Sequence, residues 1–227
     1  MKKILFLLAL LAAFHVNANL ISNGSFETAN CSDRVMTVGT SCTNNLVSGQ
    51  WVVLKNLSGG WTTVSGSGIE IRDNVSGIAQ NGSNFVELDS HGNPGKDNTY
   101  MQQVFSSPTA NLDLSFWYAA RPGTAANTNG ISVFFNGLDI SSSLVGGPFI
   151  TPGSTNTKWI QYTAELNGLV GNNVLGFKAV GKDDTYGGSL DNVSVTAVPE
   201  PSTIVVFLTG IIIIWAIYRA RKTTGRK

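Results

Sequence analysis

The rhythm of residues 19–198 narrows the possible folds more than any other feature of the chain. Short runs of Val, Ile, Leu, Phe, Tyr and Trp alternate there with polar residues and are separated by Gly, Asn, Ser and Pro. Leu112-Asp113-Leu114-Ser115-Phe116-Trp117-Tyr118 places Leu112, Leu114, Phe116 and Tyr118 on one face of an extended strand. Ile131 to Phe135 repeats the pattern and runs into Asn136-Gly137, a pair that favours a tight hairpin turn into Leu138 to Ile140. Trp51 to Leu54, Gly68 to Arg72, Asn84 to Leu88, Met101 to Phe105, Trp159 to Leu166, Asn173 to Val180 and Ser189 to Val195 read as further strands. No part of this region sustains a helical period. Many short strands joined by Gly-rich turns predict an all-β domain, a β-sandwich with jelly-roll connections.

The two ends of the chain differ from this middle. Lys2 and Lys3 precede the apolar stretch Ile4 to Phe14 and then Val16-Asn17-Ala18, the layout of a signal peptide over 1–18 cut after Ala18 by signal peptidase. At the other end, the apolar run Ile204 to Tyr218 is fifteen residues long, about 22 Å as a helix at 1.5 Å per residue. Arg219, Arg221, Lys222, Arg226 and Lys227 follow it. This layout predicts a transmembrane helix over 204–218, extended by snorkelling side chains, with the basic tail on the cytoplasmic side. It makes the membrane a partner and leaves a sandwich domain over 19–198 outside the inner membrane.

Export bears on the cysteines and on the charge. Cys31 and Cys42 are the only two cysteines, and an exported chain is expected to join them in a disulfide. Residues 19–198 carry eight basic and thirteen acidic side chains, a formal balance of −5, although the whole chain is at +1. The eight positive charges are scattered, so nucleic acid is excluded as a partner. His91 is the only histidine left after the signal, which leaves no Ser-His-Asp arrangement to single out. Glu87 and Asp89 lie two apart on one strand, a spacing that by itself makes no glycosidase pair. The chain is therefore expected to be no enzyme.

Most aromatic residues of an all-β domain belong to its core. Tyr100 and Tyr186 stand apart because each sits in a Gly-, Asn- or Asp-rich loop, the kind of segment that carries binding residues on a rigid sandwich. They are the candidate sugar-stacking residues. Arg121, in Trp117-Tyr118-Ala119-Ala120-Arg121-Pro122-Gly123, either donates to a glycan or caps an acidic loop.

Two resemblances add to this reading. Pro199-Glu200-Pro201, the hydrophobic helix and the basic tail resemble the sorting signal of PEP-CTERM proteins, over 199–227. That resemblance implies processing by a membrane exosortase and delivery to the cell surface or extracellular matrix. Asn23-Gly24-Ser25-Phe26-Glu27, Gly60-Trp61, Phe85-Val86-Glu87-Leu88-Asp89 and Leu190-Asp191-Asn192-Val193-Ser194-Val195 resemble galactose-binding-like jelly-roll domains, as in carbohydrate-binding modules and DUF642-type exported proteins. It implies a structural Ca²⁺ held by the carboxylates of Glu27 and Asp191, where hard oxygen ligands suit that ion. The other reading of these two residues is a solvated turn and a strand-start cap. The expected function is an exported, exosortase-sorted surface or matrix protein with a non-catalytic domain that binds extracellular polysaccharide. The alternative is a structural envelope or matrix protein without a sugar site.

Overall fold

The computed structural model describes residues 18–38, 42, 44–92, 98–147, 153, 156–198 and 203–224. Along the chain run β1 (Arg34–Val38), β2 (Gln50–Leu54), β3 (Trp61–Ser65), β4 (Ile69–Asp73), β5 (Asn84–Glu87) and β6 (Tyr100–Ser107). Then come β7 (Asn111–Ala119), β8 (Ile131–Phe135), β9 (Leu138–Asp139), β10 (Ile160–Asn167), β11 (Gly171–Ala179) and β12 (Ser189–Ala197). They pair antiparallel in two sheets, ordered β1-β2-β4-β5-β12-β7-β10 and β3-β6-β11-β8-β9. The result is an all-β two-sheet sandwich consistent with a jelly-roll.

Alternation places the core between the sheets. On β7, Leu112, Leu114, Phe116 and Tyr118 are all buried. The Phe116 ring stacks on Tyr162 at 5.4 Å and meets Phe177 of the facing sheet edge-on at 5.1 Å. Phe177 leads to Trp61 at 6.1 Å, and Trp61 to Phe26 at 5.7 Å. These aromatic contacts cross the gap between the sheets and bury large apolar area. The hairpin after β8 turns at Asn136 (φ 49°) and Gly137 (φ 83°), both left-handed as a type I′ turn requires. The sequence pattern did not reveal β1 and β3. On β3 only Trp61 is buried while Val64 is 48% exposed, so this edge strand lacks a clean apolar alternation and depends on pairing with β6.

The N-terminal segment closes the sandwich. Beyond Leu190, β12 no longer pairs with β5, and residues 19–24 occupy that side of the strand. Leu20 N–H donates to the Val195 carbonyl at 2.7 Å, Val193 N–H donates to the Gly24 carbonyl at 2.8 Å, and the Asn19 side chain binds the backbone of Val193 and Val195. A side chain at Gly24 would stand 2.0 Å from the Val193 oxygen, so only glycine permits this approach. β12 itself carries a bulge between Asp191 and Ser194, with Asn192 at φ 50°. The extra residue re-phases the strand so that Leu190, Val193 and Val195 all enter the core, while Asp191 points out of it. Cys31 and Cys42 are joined in a disulfide across a sequence separation of 11.

The C-terminal segment requires a correction. Residues Thr203–Thr224 form a helix, α1, yet among the described residues no helix is long and apolar enough to cross a membrane. The apolar run Ile204 to Tyr218 covers about 22 Å of helix before Arg219, short of a hydrocarbon core of roughly 30 Å. This overturns the expected transmembrane helix over 204–218, the membrane as a partner and inner-membrane anchoring. The body of the expected signal peptide (1–17), the Pro199-Glu200-Pro201 motif and the last three residues lie outside the described residues.

The disulfide closes a short loop, and the double variant Cys31→Ser/Cys42→Ser should lose about 3 kcal/mol of unfolding free energy. Urea denaturation of both forms under oxidising conditions checks it.

Candidate functional site

On β4, Ile69 and Ile71 face the core, so Glu70 and Arg72 point to the outer side of their sheet, where Glu87 of β5 stands directly opposite Glu70. Outward residues of a sheet are usually wet, yet Glu70, Arg72 and Glu87 are at most 1% exposed. Loops fold over them. Arg72 binds Glu70 at 2.6 Å and Glu87 at 2.5 Å, and Arg121, arriving from the loop after β7, binds the other Glu87 oxygen at 2.5 Å. Gly187 N–H donates to Glu87 at 2.9 Å, and His91 N–H donates to Glu70 at 2.7 Å. The His91 ring lies 4.6 Å from that of Trp51.

The environment sets each protonation equilibrium. Burial pushes the Glu87 carboxyl up to about 7, against the downward pull of Arg72 and Arg121. Burial acts the same way on Glu70, but the hydrogen bonds from His91 and the charge of Arg72 outweigh it and hold this carboxyl below its ordinary value. In return, the hydrogen bond to Glu70 raises His91. Buried charges need such partners, because an unpaired one costs several kcal/mol (roughly 3–5).

Arg121 carries this buried cluster to the surface. Its backbone N–H donates to Asn129 Oδ1 at 2.9 Å, its guanidinium donates to Ser76 Oγ at 3.1 Å, and the guanidinium carbon sits 4.4 Å from the centre of the Tyr186 ring. Tyr186 is 45% exposed, and Thr185 before it adopts φ 66°. Together with Ser76, Thr124, Thr128 and Asp184 these two residues line an open pocket of about 520 Å³. A larger depression, about 630 Å³, lies over β7, β10 and β12, but its wall of Asp113, Ser115, Thr163, Glu165 and Ser194 contains no aromatic ring.

The structure thus brings Arg121 and Tyr186 together and leaves Tyr100 elsewhere. Tyr100 belongs to β6 in the other sheet, where its half-buried ring lies over Gly176 and 5.3 Å from Phe134. It is a strand residue, not a loop residue. Pattern reading placed Glu70 in a polar rim or a second cation site and missed Arg72, Ser76 and Asp184. The one signal in the sequence was a strand, Ile69-Glu70-Ile71-Arg72-Asp73, whose polar positions are all ionisable.

Glu27 and Asp191 approach the same loop, with N–H groups facing their oxygens. Glu27 accepts from Ser83 and Asn84, and Asp191 from Gln80, Asn81 and Asn192. A Ca²⁺ ion requires a shell of oxygen donors, whereas the partners of these carboxyl oxygens among the described residues are backbone N–H groups. Among the described residues no group of three or more His, Cys, Asp or Glu side chains is placed to hold a metal. The Glu27–Asp191 pair is a carboxyl clamp on backbone amides.

No family profile matches the chain, neither a sorting-signal family nor a DUF642-type one. A stretch of 138 residues, 59% of this chain, is 30% identical to part of the multifunctional-autoprocessing repeats-in-toxin protein of Vibrio vulnificus, of which the chain spans about 2%. Among solved structures, the family 35 carbohydrate-binding module of Paenibacillus barcinonensis is 23% identical, with a TM-score of 0.40 over 61% of this chain and 94% of that one. The cleaved adhesin domain of Lys-gingipain from Porphyromonas gingivalis is 18% identical, with a TM-score of 0.42 over 60% and 91%. The family 35 module of Clostridium thermocellum is 19% identical, with a TM-score of 0.35 over 60% and 97%. Likenesses at these levels assign no function to the chain.

Two outcomes are expected. Glu87→Gln leaves Arg121 and Arg72 without a shared anion and should cost about 3–5 kcal/mol in urea denaturation at pH 8. Burial also raises Asp191 to about 7, from an ordinary 3.8. Its stabilising contribution is therefore complete below the unfolded value and lost as pH rises through about 7. In chelating buffer, the melting temperature of the parent should fall relative to Asp191→Asn between pH 4 and 8; a constant gap across that range contradicts it.

Proposed function

We propose that this sandwich is a non-catalytic carbohydrate-binding domain of an exported protein, and that an extracellular polysaccharide docks in the Arg121–Tyr186 pocket. The observation that carries this reading is an exposed aromatic ring held in place from beneath. The guanidinium of Arg121 backs the Tyr186 ring at 4.4 Å, and Arg121 is itself anchored to the buried Glu87. A ring fixed in this way loses little conformational freedom on binding, and its apolar surface suits the C–H face of a sugar. Ser76, Thr124, Thr128 and Asp184 around it supply donors and acceptors for hydroxyl groups.

The carboxylates beneath the pocket support a binding role over a hydrolytic one. Glu70 and Glu87 are sealed from solvent and held by arginines, so neither reaches across a bound sugar ring as a general acid or nucleophile. The disulfide supports an oxidising compartment outside the cytoplasm.

Binding of the disulfide-intact chain to a panel of neutral, acidic and amino polysaccharides tests the reading. Saturable binding is expected, weakened roughly tenfold by Tyr186→Ala, a loss of about 1.4 kcal/mol, and unchanged by Tyr100→Ala. Absence of binding by folded protein, or equal loss with both variants, overturns it.

A further inference from the structure

The inner face of the larger sheet does not end in apolar side chains. Past Val52, Leu54, Ile69, Ile71 and Val86 the alternation reaches Gln50 on β2, Asp73 on β4 and Asn84 on β5, which are cross-strand partners in one row. Side chains in such a row are neighbours, with Cβ atoms roughly 5 Å apart. Asp73 is 5% exposed and Asn84 2%.

The hydrogen bonding of this row is one-sided. The Asn84 amide nitrogen donates to the carbonyls of Phe26 and Glu27, at 3.3 and 3.2 Å, which settles which end of that amide is oxygen. Among the described residues, Asn84 Oδ1 and Asp73 Oδ1 are both buried without a hydrogen-bond partner. Gln50 turns its oxygen to the Val47 N–H at 3.3 Å. No cation answers Asp73 from its own strand, because Arg72 points to the opposite face and is taken by Glu70 and Glu87. Two adjacent buried acceptors, one of them anionic, repel each other and have each given up water.

We propose that Asp73 and Asn84, with Gln50 completing the row, form a cation site, and that it takes a hard cation of the calcium type. The donor set is all oxygen, one carboxylate and two amides, the chemistry of calcium and not of a transition metal. Burial raises the Asp73 carboxyl, as expected of an anion that protein groups alone leave without a counter-charge. The site differs from the Glu27–Asp191 clamp, whose carboxylates face N–H donors. It stands independently of the glycan reading. An ion there ties the turn before β2 to β4 and β5, since the Asp73 carbonyl also accepts from Gly49 N–H at 2.8 Å.

Terbium luminescence sensitised by tryptophan, together with thermal melts of the full chain in calcium or chelator, tests the site. Saturable Tb³⁺ binding that calcium displaces is expected, with a calcium-dependent rise in melting temperature of about 5 °C. Both should vanish in Asp73→Asn and persist in Asp191→Asn. Loss in Asp191→Asn with retention in Asp73→Asn overturns the assignment and moves the ion to the other carboxylates. A parent chain that neither binds Tb³⁺ nor responds to calcium overturns it whether or not the variants fold. If its stability also falls as pH rises, Asp73 carries a proton shared with Asn84 instead.

Discussion

The seam between the first residues of the domain and its last strand is the contact on which the rest of the sandwich depends. β12 sits between β5 and β7, but pairs with β5 only at Ser189 and Leu190. Residues 19–24 supply the missing hydrogen bonds, and the same segment delivers Phe26 to Trp61 in the core and Glu27 to the amides of Ser83 and Asn84. A buried strand edge left without partners is costly, because each orphaned backbone group forfeits a hydrogen bond. The bulge at Asn192 belongs to this arrangement, since it turns Asp191 outward to the Gln80–Asn81 amides while keeping Val193 and Val195 inside.

The candidate binding surface grows from a second unusual feature, an outer sheet face that is charged and yet dry. Loops seal Glu70, Arg72 and Glu87 and are in turn pinned by them, His91 through Glu70 and Arg121 through Glu87. A loop held by a buried ion pair has fewer alternative positions than one held by surface contacts, because moving it exposes an uncompensated charge. This makes Tyr186 a fixed element, although it lies in an irregular segment. Rigidity at the pocket thus traces back to two alternating positions of β4.

Much of this fold was legible in the sequence, for reasons that also mark where legibility ended. Strands β7 and β8 announce themselves because buried residues alternate with exposed or half-buried ones, and Asn136-Gly137 names its turn. β3 gave no such signal, because an edge strand with one buried tryptophan and no other buried side chain has no period to detect. The resemblance joined Asn23–Glu27 with Leu190–Val195, and these segments are indeed in contact, but the partners of Glu27 and Asp191 are backbone amides, a fact invisible in side-chain identities. Arg121 and Tyr186 were readable as loop residues. Their union needed Glu87, whose role depends on a cross-strand register and on loops that no local pattern encodes. Tyr100 misled because the loop before it ends one residue sooner than composition suggests. At the C-terminus hydropathy suggested a span, but fifteen apolar residues before Arg219 make a helix too short for a hydrocarbon core of roughly 30 Å.

Because Asn19 bridges Thr196 in antiparallel sense, the domain's first and last residues leave from the same edge. Tension applied between those two points would not load the sheet hydrogen bonds in parallel. It would act on the seam one bond at a time, as on a zipper, beginning at the Asn19 side chain and proceeding toward Gly24. The part of the molecule that closes its core is therefore also its mechanically weakest line, and a pull too small to shear β7 from β12 would already draw Phe26 away from Trp61.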